Sequence, residues 1–306
     1  MQRRTRIVWL GIAFVGSAAC ISSYWGVPGI AGGFPADPSP DFDHPTRRWL
    51  PVGTMDRSVV RESSGIVASR RHPGIFWTHS DSLNEPMIFA VTLDGKIVSR
   101  VAVEAVNWDW EDIAIDDDGR LYIGDTGNNY GWFHQRTVYR IPEPDPAFAA
   151  FQRVAPTATW HFAYSDNRFD AEGLFVRADR AYVVSKHDRG RSRVYRIDSD
   201  NGETTAPVEV ASIDQIVVTG ADVSADGRRL VVCGLSGARR YQLNEIDDGS
   251  FDLIPLDSIT YPLQSVEACC FDGDAIVLTN EGGRIYRVTE DDFAAGVRFQ
   301  SPLPEN

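Results

Sequence analysis

Carboxylates and amides recur at matched places along this 306-residue chain. Glu111, Glu172 and Glu267 each stand just before a short apolar run, and Ser64 and Ala221 hold the same place in two related runs. The apolar runs that follow close on His79, Asp125, Ser185, Gly234 and Asn280. If these runs are paired strands, the two sets form concentric rings at one edge. Three glutamates brought together repel one another, and their proton affinities rise unless a cation neutralises them. A hard divalent ion with oxygen ligands answers that need, and Ca²⁺ accepts six to eight such oxygens. The pattern therefore predicts metal ligation by Glu111, Glu172 and Glu267, helped by Asp125 and Asn280. Such an ion polarises a substrate oxygen or activates water, and His79 or Asp125 would accept the proton. The reading is a metal-dependent hydrolase of phosphoesters, esters or lactones, acting on a small molecule. Its alternative is a non-catalytic binding or scaffold protein of the cell envelope. A weaker third reading is a glycosidase with paired acids. The plain structural alternative is that acidic residues at strand starts solvate loops and hold backbone amides.

These positions are meaningful only if a repeat carries them. Asp112–Ile115 and Leu121–Ile123 read as two strands joined by the turn Asp116–Gly119. The same hairpin recurs, with Asp-Gly turns again at 226–227 and 272–273. A third strand follows each hairpin, with an aromatic at position 89, 139, 195, 241 or 286. A fourth follows at Lys96–Val103, Thr157–Tyr164, Val208–Ser212 and Phe251–Asp257. Four antiparallel strands per unit, repeated every ~40–50 residues, is the signature of an all-β propeller. Five blades are favoured; six are the alternative, if the long 142–166 connection hides a partial blade. The last unit lacks a strong fourth strand, and Trp49–Met55 would supply it and close the ring. One domain is expected over residues 49–306.

Several segments together resemble the recurrent motifs of a group of uncharacterised exported bacterial β-propeller proteins. They are Glu62–Gly65, Asn107–Asp112, Asp125–Asn129, Glu143-Pro144 and Asp170–Gly173. The resemblance covers residues 60 to 300 and implies the fold, with no assured activity. More distantly, Asp170-Ala171-Glu172-Gly173 is similar to a stretch of the β-propeller phytases. That similarity implies calcium binding by Asp170 and Glu172, but the scarcity of lysine departs from a phosphate pocket. Calcium-dependent lactonase propellers resemble the expected arrangement at the level of fold alone.

Charge and termini bound the remaining classes. The net charge is -13, with Lys96 and Lys186 the only lysines. Such a surface repels phosphate backbones, so no nucleic-acid partner is expected. Arg3, Arg4 and Arg6 precede an uncharged stretch from Ile7 to Ala36, the layout of a secretory signal. Residues 1–30 are read as a cleaved signal, a lipoprotein segment modified at Cys20, or an uncleaved anchor. Each version exports the rest to the periplasm or cell surface and limits membrane contact to this segment. Residues 31–48 read as a flexible tether. Cys233, Cys269 and Cys270 show no zinc spacing and are expected to be buried thiols or to form one bridge. The chain is expected to be a monomer. Trp108 and Trp110 flank the acidic segment, as rim packing or as a platform for substrate. His187 is placed near the same face as His79.

Overall fold

The computed structural model describes residues 44–148, 151–165, 170–186, 191–198, 203–214, 217–246 and 249–302. The expected signal segment with Cys20, and His187, lie outside them. Two short strands open the chain, β1 (Thr46–Arg48) and β2 (Gly53–Thr54). The first sheet follows as β3 (Ser63–Ala68), β4 (Ile75–Ser80), β5 (Met87–Thr92) and β6 (Ile97–Val103). The second contains β7 (Trp110–Ile115), β8 (Arg120–Asp125) and β9 (Arg136–Pro142); then come β10 (Gln152–Val154) and β11 (Ala158–Phe162). The third runs β12 (Ala171–Arg177), β13 (Arg180–Ser185), β14 (Ser192–Ile197) and β16 (Val208–Ile213), while the intervening β15 (Thr204–Thr205) pairs in parallel with β11 of the second sheet. The fourth is β17 (Gly220–Val223), β18 (Arg229–Gly234), β19 (Gly237–Glu245) and β20 (Phe251–Thr260). The fifth is β21 (Val266–Asp272), β22 (Ala275–Asn280) and β23 (Arg284–Val288), followed by helix α1 (Glu290–Ala294) and β24 (Arg298–Gln300).

Each sheet is a meander whose first strand packs against the first strands of its two neighbours. β3 touches β7, β7 touches β12, β12 touches β17, β17 touches β21, and β21 returns to β3. That closed order is a β-propeller arrangement. Every residue of β7 and β17 is buried, the acidic Glu111, Asp112 and Asp222 among them. The hairpin turn at Gly119 adopts φ 73°, a conformation glycine takes without strain. The third sheet lacks an Asp-Gly turn and uses Ala178 and Asp179 at φ 48° and 60°. The long 142–166 connection supplies β11 as the fourth strand beside β9 and β10 as a parallel edge strand beside β6.

Side chains tie the inner strands together. Asp112 on β7 accepts the Leu174 amide at 2.8 Å and the Ala221 amide at 3.2 Å through Oδ2. Asp222 on β17 accepts the Phe271 amide at 2.8 Å. Ser63 and Thr279 pair their hydroxyls at 3.2 Å between the first and last sheets. β2 supplies the outer strand of the fifth sheet by pairing with β23, as the sequence predicts. The expected tether ends earlier than residue 48: Thr46–Arg48 pair in parallel with Arg298–Gln300, because the edge of β24 offers an unpaired ladder. Trp49 then lies stacked on Tyr286 and Tyr261, with ring centroids at 4.2 and 4.8 Å. The three cysteines are free and buried.

Candidate metal centre

The glutamates reach one face because of a backbone irregularity shared by four sheets. In the second sheet Trp110 pairs with Asp125 and Asp112 with Gly124, so Glu111 is an extra, unpaired residue. The same bulge leaves out Ser64 in the first sheet, Glu172 in the third and Glu267 in the fifth. A bulge bends the strand and re-aims the side chain it carries. The fourth sheet has regular pairing at Ala221, so it presents no such residue.

In the same four sheets the residue after the second strand adds to the same edge. Its amide bonds to the carbonyl of the residue just before the first strand. The pairs are Asp81 to Glu62 at 3.0 Å, Thr126 to Asp109 at 3.1 Å, Lys186 to Asp170 at 2.9 Å and Glu281 to Ser265 at 3.1 Å. These two positions bring Asp81, Asp109, Asp170 and Lys186 to the bulge glutamates. Two groups result, Asp81–Asp109–Glu111 and Glu111–Asp170–Glu172, each with one oxygen per residue within 4.8 Å of the others. The side chain of Lys186 forms an ion pair with Glu172 Oε1. It lies 3.9 Å from Asp170 Oδ2 and donates to Asn129 Oδ1 at 3.2 Å.

Glu111 is only 6% exposed, yet among the described residues its carboxylate has neither a hydrogen bond nor an ion pair. Gly127 passes so close that a Cβ there would stand 2.0 Å from Glu111 Oε1 and 2.5 Å from Asp109 Cγ. The backbone at this point leaves room for the carboxylates and none for a side chain. All donors in the first group are hard oxygens, so the set fits Ca²⁺ or a similar ion.

Burial and mutual repulsion set the charge state of these groups. Burial, then the neighbouring Glu172 and Asp109, push the Glu111 carboxyl well above the usual range. Asp109 is pushed up to about 8 by burial and by Asp81. Glu172 is pushed up to about 8 by burial, against the pull of Lys186. Glu267 is also raised well above its usual value, by burial and then by Glu172.

Other expected ligands are placed differently. Glu267 and Asp125 lie outside both groups. Asp125 Oδ1 accepts the Asp109 amide at 2.7 Å and the Trp108 amide at 3.2 Å, so it shapes the loop that presents Asp109. Burial pushes Asp125 up to about 7. Asn280 Oδ1 accepts the Arg284 amide at 2.9 Å and its Nδ2 donates to the Gln264 carbonyl at 3.1 Å, which makes it a turn cap. His79 requires a correction. Ser80, not His79, pairs with Ser63 and holds the place of Asp125. His79 is fully buried, edge-on to Trp110, with Nδ1 3.2 Å from the Ser80 carbonyl. Burial pushes it down to about 4, so it is a neutral core imidazole rather than a proton acceptor at the rim.

An aromatic rim borders the carboxylates. Trp108, Tyr130 and Trp132 are 54%, 56% and 60% exposed. Tyr130 and Trp132 stack at 4.8 Å, and Trp108 leans on Phe133 at 6.1 Å. Trp110, by contrast, is core.

No family model matches the chain, and no curated protein matches it. Among solved structures it is similar to a catalytically inactive virginiamycin B lyase from Staphylococcus aureus with quinupristin. Identity there is 18%, coverage is 74% of this chain and 66% of that one, and the TM-score is 0.39. A nidogen/laminin complex matches at 14% identity, with 72% and 73% coverage and a TM-score of 0.41. A functionally unknown protein from Desulfotomaculum acetoxidans matches at 15%, with 73% and 70% coverage and a TM-score of 0.38.

Proposed function

We propose that this chain is an exported five-bladed β-propeller that binds one divalent cation, Ca²⁺ by preference, at Asp81, Asp109 and Glu111, and hydrolyses a neutral ester or lactone there. The observation that carries the reading is Glu111: a bulge carboxylate, 6% exposed, with no donor among the described residues, shared by two carboxylate groups. A bound ion would supply polarisation of the substrate carbonyl. Asp125 Oδ2 takes no hydrogen bond among the described residues and is the proton acceptor. Water loses a proton to it as the water oxygen bonds to the acyl carbon. The acyl C–O bond then breaks, and the proton passes to the leaving oxygen. Only Lys186 pairs with the two groups among the described residues, so the face retains negative charge and disfavours a phosphoester.

The second reading is a binding propeller of the envelope, favoured by the exposed Trp108, Tyr130 and Trp132 beside the site. A panel of esters, lactones and phosphoesters, run with and without chelator, separates the two. Chelator-sensitive turnover of a neutral substrate, lost in Asp125→Asn, supports the hydrolase. Metal binding without turnover of any substrate supports the binding role. Labelling of intact cells with a non-permeant reagent tests export; full protection until the envelope is opened contradicts it.

A further inference from the structure

The carboxylate face has two carboxylate groups of similar construction that share Glu111. Asp81–Asp109–Glu111 and Glu111–Asp170–Glu172 each bring three oxygens within 4.8 Å of one another. They differ in what already sits there. Among the described residues, no cationic nitrogen pairs with Asp81, Asp109 or Glu111. The second group holds the Lys186 ammonium, which pairs with Glu172, lies 3.9 Å from Asp170 and donates to Asn129 at 3.2 Å. We infer that Lys186 is the resident occupant of the second cation position, and that it limits the protein to one divalent ion. The inference rests on the cation reading above.

The placement of Lys186 is fixed from both sides. Its amide bonds to the Asp170 carbonyl at 2.9 Å, while its own carbonyl accepts the Val218 amide at 3.0 Å and the Ser192 hydroxyl at 3.1 Å. The chain is pinned at the residue that follows β13, and the side chain turns back over the Glu172 bulge. The side chain is 9% exposed. A buried ammonium is stable only when its donors are paired, and Glu172, Asn129 and Asp170 surround this one. Lysine suits the position because its charge is compact, whereas the wide guanidinium fork of arginine does not mimic a metal ion. This chain has 30 basic residues and only two lysines. An ammonium and a divalent ion cannot share one carboxylate pair, because they repel at contact distance. Without the ammonium, Glu111 would stand between two open groups, the arrangement found in two-metal sites with ions about 3.5–4 Å apart.

The test uses the full chain stripped of metal with chelator and then dialysed. Calcium chloride is titrated calorimetrically, and bound ions are counted by native mass spectrometry. The parent should bind one ion per chain. Lys186→Met should bind two, and its first ion should bind at least roughly threefold more tightly because a nearby positive charge is gone. Lys186→Gln, which keeps a polar end near Asn129, guards against a misfolded methionine variant and should also bind two. A parent that binds no ion defeats the cation reading itself. A parent with one ion, and both neutral variants folded with one, defeats the role of Lys186 alone. A parent that binds two ions defeats it as well.

Discussion

Within Trp108–Asp112, neighbouring side chains divide between chemistry and construction. Asp109 and Glu111 face the carboxylate group, while Trp110 and Asp112 turn into the core. Alternation along a strand separates them, and the bulge at Glu111 adds the rest. Asp112 and Glu111 should therefore respond oppositely to loss of charge. Asp112→Asn places an amide group among three backbone donors, Ile113, Leu174 and Ala221, and should cost about 2–4 kcal/mol in urea unfolding. Glu111→Gln should leave stability in chelator unchanged or raised, and should abolish stabilisation by Ca²⁺. That stabilisation amounts to about 2.7 kcal/mol for the parent at a hundredfold excess over Kd. Asp222 gives a pH test away from the site. Burial raises it from 3.8 to about 6, so the native state holds its proton more tightly than the unfolded chain. Its contribution is present below pH 3.8 and is lost as pH rises to about 6, a fall of about 3 kcal/mol. Asp222→Asn keeps an acceptor for the Phe271 amide and should remove that part of the slope between urea midpoints at pH 4 and pH 7. An unchanged slope contradicts the assignment. The glutamates were legible as a set because the repeat aligned them. Asp81 and Lys186 were not, because they lie two residues and one residue beyond His79 and Ser185, the strand ends that the repeat aligned.

Strands were the most legible level of this chain. Aromatic-basic third strands at Val138–Ile141, Val194–Ile197 and Ile285–Val288 fall inside β9, β14 and β23. Hairpin turns lie where Asp-Gly pairs mark them, and Ala178-Asp179 does the same work without a glycine. The bulges left no trace in the pattern, since one skipped residue does not disturb an apolar run buried on both sides. His79 stands one residue short of the position that Ser80 holds, and the first hairpin has no Asp-Gly turn to fix that register in the sequence. The short parallel strands β10, β15 and β24 are three residues or fewer and carry no periodicity to read. Trp49 is the element-scale weak point. It lies between aromatics of the fourth and fifth sheets, where the N-terminal segment joins both. Trp49→Ala should cost about 3–5 kcal/mol, seen as a lowered thermal midpoint. A loss below about 1 kcal/mol would show that the segment does not fasten the ring.

At the scale of the molecule, ring closure gathers residues that are far apart in the chain. Asp81 and Glu172 join groups built around Glu111 although their blades are separated by a whole sheet. No local propensity brings them together; the cyclic order of β3, β7, β12, β17 and β21 does. The fold thus concentrates carboxylates at one end, against their own preference, and a bound cation would remove the conflict. Diffraction from crystals grown with Mn²⁺ or Tb³⁺, with data collected at an absorption edge of that metal, tests this most directly. One anomalous peak is expected, bounded by the carboxylates of Asp81, Asp109 and Glu111, with metal–oxygen distances of about 2.0–2.6 Å, and no such peak in Glu111→Gln. A peak only at the Asp116–Asp118 turn, or no peak at the carboxylate face, would contradict it.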